Sequence, residues 1–152
     1  EGQVRRNFQG YTVDPADALI GFGASAIGKL PQGYVQNTIA TGLYQSLADM
    51  EGTAVAKGFE LSDEDAVRAA VIEGLMCDLS LSYAELESAF GEAAHPVISQ
   101  AHQIAKDDWG GIVHDDEGTF RITENGRPFV RSIAAAFDAY LCHGLAKHSS
   151  GV

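Results

Sequence analysis

Cysteine is scarce in this 152-residue chain, with only Cys77 and Cys142, set far apart in apolar helical patterns. Two thiols cannot by themselves build a zinc site or an iron–sulfur cluster, and they read as buried free thiols of a reducing, cytoplasmic compartment. Basic charge is also in short supply: 10 Lys and Arg stand against 21 Asp and Glu, for a net charge of −11. No basic stripe is present, which excludes an ordinary nucleic-acid surface, and the acidity reads as a solvated exterior. No apolar run approaches the roughly 18–20 residues needed to cross a bilayer, and no signal-peptide pattern opens the chain. Nothing repeats and nothing is of low complexity. Ser/His/Asp and Cys/His arrangements with recognisable local spacing are missing, so hydrolase chemistry has no support. What remains is 45% hydrophobic and 20% charged residues, enough for one folded domain with an appendage.

The most informative stretch comes first. Arg5-Arg6-Asn7-Phe8-Gln9-Gly10-Tyr11-Thr12 and Asp17 to Ile27 read as two short extended segments separated by the turn-prone Asp14-Pro15. Gly10, Gly21 and Gly23 fall inside these runs. Glycine in a strand interior is unfavourable unless a bulge, a ligand or another backbone must come close, so a ligand site and a tightly packed wall both account for them. The abrupt start in structure suggests a piece of a longer protein.

Gly28 to Gly33 reads as a loop held open by Pro31, and Tyr34-Val35-Gln36-Asn37 as a brief extended piece. Thr38 is placed to cap a helix to about Met50 with Ile39, Leu43, Tyr44 and Leu47 on one face, and Thr53–Leu61 as irregular or hairpin-like. Ser62 with Asp65 and Ser82 with Glu85 mark two further helix starts, the first carrying Val67, Val71 and Leu75 inward, the second closed by Gly91. Pro96 opens a third, with Val97, Ile98, Ala101, Ile104 and Ala105 inward and Gly110-Gly111 as its stop. Ile112–Thr123 alternates as a hairpin turning at Asp116-Glu117-Gly118, with Phe120 and Ile122 on one side. After the Asn125-Gly126 turn, a last helix is expected from Arg127 or Pro128 to about Gly144, burying Val130, Ile133, Ala134, Phe137, Tyr140 and Leu141. Three helices, a hairpin and a final helix form the element order of a winged-helix-like module. The helix that would enter DNA offers only Lys106 against Asp107 and Asp108.

Gly21-x-Gly23 followed by Gly28 is no dinucleotide fingerprint, because Pro31 and Gly33 deny the helix that should receive the phosphates. His95, His102, His114, His143 and His148 are scattered and read as surface or interface histidines. Asp14, Asp17 and His114-Asp115-Asp116 are turn chemistry before they are metal chemistry. Arg127 and Arg131, four apart, could share a helix face and hold carboxylates of an acidic substrate or of this chain's own Asp and Glu.

Taken together, Asn7-Phe8-Gln9-Gly10-Tyr11-Thr12, Ile20-Gly21-Phe22-Gly23-Ala24-Ser25-Ala26-Ile27, Tyr34-Val35-Gln36-Asn37, Gly126-Arg127, and Val130-Arg131-Ser132-Ile133 with Phe137-Asp138-x-Tyr140-Leu141 carry a resemblance. From about Arg5 to about Leu141 the chain resembles the C-terminal portion of the oxygen-independent coproporphyrinogen III oxidases, radical S-adenosylmethionine enzymes of haem synthesis. The resemblance implies a parent enzyme with a partial (β/α) barrel, a 4Fe-4S cluster on a C-x-x-x-C-x-x-C motif, and oxidative decarboxylation of coproporphyrinogen III to protoporphyrinogen IX. It assigns Phe8, Gln9 and Ile27 to S-adenosylmethionine binding. Arg127 and Arg131 become candidates for the substrate propionates or for inter-domain pairs. This chain departs from the pattern in lacking the cysteine motif, without which the cluster cannot be held.

The resulting expectation is an α+β chain: residues 1–50 as the trailing strands and helix of an incomplete barrel, 51–145 as a mainly helical, winged-helix-like domain with a small hairpin, and 146–152 as a fraying tail. It is expected to be catalytically inert alone, to hold no cofactor in isolation, and to answer the missing N-terminal barrel by forming a homo-dimer or by rearranging its N-terminal arm. The alternative is a non-catalytic winged-helix interaction module or haem-chaperone-like domain.

Overall fold

The computed structural model describes residues 4–7, 10–107, 110–116 and 118–141. The chain divides into two compact units, one formed by Asp14–Ser62 and the other by Glu1–Val13 with Asp63–Val152.

The larger unit is built on one helix. After the hairpin of β1 (Arg5–Asn7) and β2 (Gly10–Thr12), and the whole of the other unit, the chain enters the sixteen-residue helix that supports everything else here. This helix is α2 (Asp63–Asp78), preceded in the other unit by α1 (Thr41–Glu51). Asp63, Glu64 and Asp65 fill its first turn, where the positive end of the helix dipole favours them. The Val67, Val71 and Leu75 stripe is wholly inaccessible, as its spacing predicts. Leu79, at φ 58°, turns the chain sharply from α2 into a short strand.

A three-stranded antiparallel sheet covers the stripe, ordered β6 (Ser80–Ser82), β8 (Thr119–Ile122), β7 (Val113–Asp116). Between β6 and β7 come α3 (Tyr83–Phe90) and α4 (His95–Lys106). The Ser82 hydroxyl accepts the Glu85 N–H at 3.3 Å, the cap expected from the sequence, and Gly91 closes α3. Val97, Ile98, Ala101 and Ile104 are buried on α4, and Phe120 and Ile122 on β8. Phe120 meets Phe137 edge to face at 6.0 Å. The β1–β2 hairpin is tied to α2: the Arg6 N–H donates to Glu73 Oε1 at 3.0 Å, and the Tyr11 hydroxyl to the Met76 carbonyl at 3.4 Å.

The expected long last helix is corrected. A 3₁₀ segment, Glu124–Phe129, leads into the six-residue α5 (Val130–Ala135), and the chain then turns. Thr123 caps the 3₁₀ segment and Gly126 lies so close to the Ile112 carbonyl that a side chain would not fit. At the other end, Gln100 Nε2 donates to the Ala136 carbonyl at 2.7 Å and Arg68 Nη1 to the Phe137 carbonyl at 2.8 Å. Asp138 Oδ1 accepts the N–H groups of Tyr140 and Leu141 in a local turn. Tyr140 and Leu141 are consequently exposed, not core, whereas Ile133, Ala134 and Phe137 are buried as expected.

The smaller unit differs more from its sequence reading. Leu19 bridges Lys29, residues 20–26 form a loop, and β3 (Ile27–Leu30) pairs with β4 (Gly33–Asn37) across Pro31-Gln32. Strand and loop have therefore changed places: the 28–33 stretch is a strand pair around a tight turn, which proline tolerates because it needs no donor there. Thr53–Leu61 contains a regular strand, β5 (Val55–Glu60), antiparallel to β4. All six of its residues are exposed, so it has no inward alternation for the sequence to betray. Helix α1 starts at Thr41, not Thr38, because Thr38 is committed to the sheet: its N–H donates to Ala54 and its carbonyl accepts from Ser25. The helix contains no buried residue, and Ile39, Leu43 and Met50 are exposed.

Leu75→Ala is expected to cost about 2–5 kcal/mol of unfolding free energy, the range for a closed core site. Leu43→Ala, on an open face, should stay within about 0.5 kcal/mol. Urea titrations of the two variants in parallel check the contrast, and equal losses would contradict the burial described.

Candidate functional site

Of the three residues assigned to cofactor binding, Phe8 and Gln9 lie outside the described residues, between the paired Asn7 and Gly10. Ile27 opens β3 and is 38% exposed. Its backbone is pressed by Gly21, where a Cβ would sit 2.6 Å from the Ile27 carbonyl oxygen. That glycine is explained by close backbone approach. Gly10 and Gly23 are explained differently, by φ values of 138° and 102° that side chains rarely adopt.

The loop that brings Gly21 to Ile27 is held from behind. Asn37 Nδ2 donates to the carbonyls of Gly21 at 3.1 Å and Gly23 at 2.9 Å. The Gly23 N–H donates to the Tyr44 hydroxyl at 3.0 Å, and Gln36 Nε2 to the Ser25 carbonyl at 3.3 Å. Ser25 sits in the left-handed region at φ 62°, strained for a residue with a side chain, and its N–H is fixed by the Thr38 carbonyl at 2.8 Å. Phe22, between the two held carbonyls, is 88% exposed, and Ile20 is 64% exposed. Ile27 and Phe22 thus lie beside and on a loop fixed by hydrogen bonds, with their side chains open to solvent. The sequence reading named Ile27 but missed Asn37 and Tyr44. An amide four residues past a turn carries no local mark of what it will bond.

Arg127 lies in the 3₁₀ segment, 57% exposed, with its Nε 3.5 Å from Glu124 Oε1. Arg131 is exposed in α5. The arginine built into the interior is Arg68, which the sequence did not single out. Its side chain is 16% exposed and it donates to Glu64, Gln100 and the Phe137 carbonyl.

The chain does not fit an iron–sulfur cluster. Its two cysteines are too few, and among the described residues no three His, Cys, Asp or Glu side chains form a group able to hold a metal. Cys77 is a partly buried free thiol whose pKa is pushed up by burial, then by Glu73 and Asp78, against a smaller opposing effect of Arg6. Such a thiol stays protonated and is a poor ligand or nucleophile. Cys142 lies outside the described residues. Among the described residues no helix is long and apolar enough to cross a membrane.

The three described histidines, His95, His102 and His114, are side-chain partners of acids. His95 is 3.8 Å from Glu87 and His114 3.2 Å from Asp116. His114 and Asp115 belong to β7, not to a turn. His102 Nδ1 lies 2.5 Å from Asp115 Oδ2, and the Tyr83 hydroxyl donates to Asp115 Oδ1 at 2.9 Å. The Tyr83 and His102 rings meet edge on at 4.8 Å. This three-residue clasp joins α3, α4 and β7.

With that geometry established, comparison with known proteins is direct. A family profile described as the HemN C-terminal domain matches residues 61–129. The chain is 41% identical over 152 residues to an oxygen-independent coproporphyrinogen III oxidase of Bradyrhizobium diazoefficiens, covering 100% of this chain and 34% of that protein. It is 40% identical over 139 residues to the protein of the same name from Cereibacter sphaeroides, covering 91% and 31%. Among solved structures it matches coproporphyrinogen III oxidase (HemN) from Escherichia coli, described as a radical SAM enzyme. That match has a TM-score of 0.81 and 32% identity, over 91% of this chain and 32% of that one. The resemblance to the C-terminal portion of these oxidases therefore holds along the chain, which spans about a third of the length of the curated relatives it matches.

The clasp generates a pH prediction. Burial first, and then hydrogen bonding to and repulsion from Asp115, raise the Tyr83 pKa above its ordinary value of 10.0. The unfolded chain thus releases this proton before the folded one does. The contribution of Tyr83 is complete below pH 10 and is lost as pH rises through the higher folded-state value. Tyr83→Phe should lose about 1 kcal/mol at neutral pH and show a shallower decline of stability above about pH 10. Urea titrations across that range check both signs.

Proposed function

We propose that this chain is the C-terminal, cofactor-supporting and substrate-covering part of an oxygen-independent coproporphyrinogen III oxidase, and that it is inert by itself. The observation that carries this is the match in sequence and in fold along the chain, against relatives three times as long. The open apolar surface of the smaller unit supports the same reading. A helix with no buried residue and a strand with six exposed ones are what remains when a larger partner is taken away. In this proposal Asp14–Ser62 contributes trailing strands and a helix to a partial (β/α) barrel. In the same proposal α2, α3 and α4, with the three-stranded β6-β8-β7 sheet, make up the winged-helix-like module.

In the intact enzyme, radical chemistry would come from S-adenosylmethionine and a 4Fe-4S cluster held outside these 152 residues. The residues present bind and position. Phe8 and Gln9 offer an aromatic face and a paired donor and acceptor, and Ile27 offers an apolar flank to the adenosyl group. Arg127 and Arg131 are exposed cations suited to the propionates of coproporphyrinogen III or to acids of the barrel. The Glu124 pair on Arg127 would have to open for the first role.

After anaerobic cluster reconstitution, the 152-residue chain alone should form no protoporphyrinogen, whereas the intact gene product, carrying a C-x-x-x-C-x-x-C motif, should. Mass analysis of that product and the assay together test the proposal. Turnover by the chain alone would overturn it, and stoichiometric haem binding without turnover by the intact product would favour a chaperone. Freed of its barrel, the chain should self-associate through the open face of Asp14–Ser62. A strictly monomeric species in light scattering, with residues 7–27 protected from hydrogen exchange, would contradict that.

A further inference from the structure

We infer that Asn37, seconded by Tyr44, is a positioning residue for the cofactor contact of Ile27, an inference that rests on the function proposed above. Nδ2 of Asn37 carries two hydrogens, and the structure uses both, on the Gly21 and Gly23 carbonyls two residues apart. Holding those two carbonyls inward curls the chain between them, and Phe22 is left 88% exposed. The Tyr44 hydroxyl takes the Gly23 N–H, so the same peptide segment is gripped from two elements, β4 and α1.

The grip passes to Ile27 by contact and not at a distance. Gly21, fixed through its carbonyl, lies against the Ile27 carbonyl with no room for even one added carbon. From the other side the Asn37 backbone N–H donates to the Ala26 carbonyl at 2.9 Å, and Ile27 pairs with Gln36 across the sheet. One residue therefore fixes both flanks of the position assigned to the adenosyl group. Between those flanks Ser25 is left-handed, and it is held there by Gln36 and the Thr38 carbonyl. A shift of Gly21 away from Ile27 would change the apolar wall without touching the ligand. Such misplacement of a contact is costly for binding geometry.

Only a group with two donors at this length satisfies both carbonyls. Asn37→Asp keeps the shape and turns two attractions into two repulsions, Asn37→Ala removes them, and Tyr44→Phe leaves the Gly23 N–H without its acceptor. The test uses the intact polypeptide containing this chain, titrated calorimetrically with S-adenosylhomocysteine and, separately, with coproporphyrin III as a stable tetrapyrrole probe. Hydrogen exchange of residues 19–27 is followed in parallel.

The expected result is at least tenfold weaker S-adenosylhomocysteine binding in Asn37→Ala and Asn37→Asp, and a smaller loss in Tyr44→Phe. Exchange in residues 19–27 should be faster, and coproporphyrin III affinity unchanged. A merely stabilising role would lower the melting temperature and leave the two ligands unaffected or equally affected, which would overturn the inference while leaving the proposed function intact. Failure of the unsubstituted protein to bind S-adenosylhomocysteine would overturn both.

Discussion

The core of the larger unit is assembled around the Val67, Val71 and Leu75 stripe of α2. These three side chains are removed from solvent completely, and burial of each is worth roughly 1.5–3 kcal/mol. No single element could cover them. Helix α4 contributes Val97, Ala101 and Ile104, the sheet contributes Phe120, and the last turn contributes Ile133 and Phe137 to the same core cluster. The polar network around the core follows from that packing. Arg68, on α2 beside the stripe, binds Gln100 of α4 and the carbonyl of Phe137, satisfying backbone groups that an abruptly ended helix leaves exposed.

The smaller unit obeys a different constraint. Among its described residues only Gly28, Gly33, Thr38 and Ala54 are buried, while Ile20, Phe22, Ile39, Leu43, Met50, Val55 and Phe59 are exposed. Hydrogen bonds from Gln36, Asn37 and Tyr44 shape the loop that in a larger core would be shaped by packing. A structure specified by donors and acceptors, with its apolar side chains outward, is complete in geometry and incomplete in burial.

Legibility in the sequence tracked this division. The helices of the larger unit were readable because period and cap agree: valines and leucine four apart on α2, Ser82 three residues before Glu85, Pro96 in a first turn. The same pattern reading overextended the last helix. Val130, Ile133, Ala134 and Phe137 do share a face, but Arg68 and Gln100, distant in the chain, draw off the carbonyls that would have continued it. In the smaller unit the aromatic and branched residues of 19–27 suggested a strand, and Pro31 between glycines suggested an open loop. Strand pairing of 27–30 with 33–37 reversed both, since register depends on a partner that local composition does not show. The site was half legible. Ile27 came from family resemblance, while the residues that brace it emerged only with tertiary contacts.

The glycines show how the two readings of one pattern are separated. Gly21 and Gly33 exclude side chains through contact with the carbonyls of Ile27 and Phe59, which is a packing demand inside the sheet unit. Gly10 and Gly23 meet nothing where a Cβ would be, yet have positive φ, which is a demand on chain direction. Neither pair by itself requires a ligand. Ser25 is a third case: it adopts a left-handed conformation despite its side chain and is braced by its own N–H, its carbonyl and the neighbouring Asn37 amide. Strain of this kind persists only where surrounding bonds over-determine it. A loop needed merely to join Leu19 to Ile27 could have relaxed by substituting glycine at 25. Three restraints on a strained serine mean that hydrogen bonds, and not packing, set the shape of this loop.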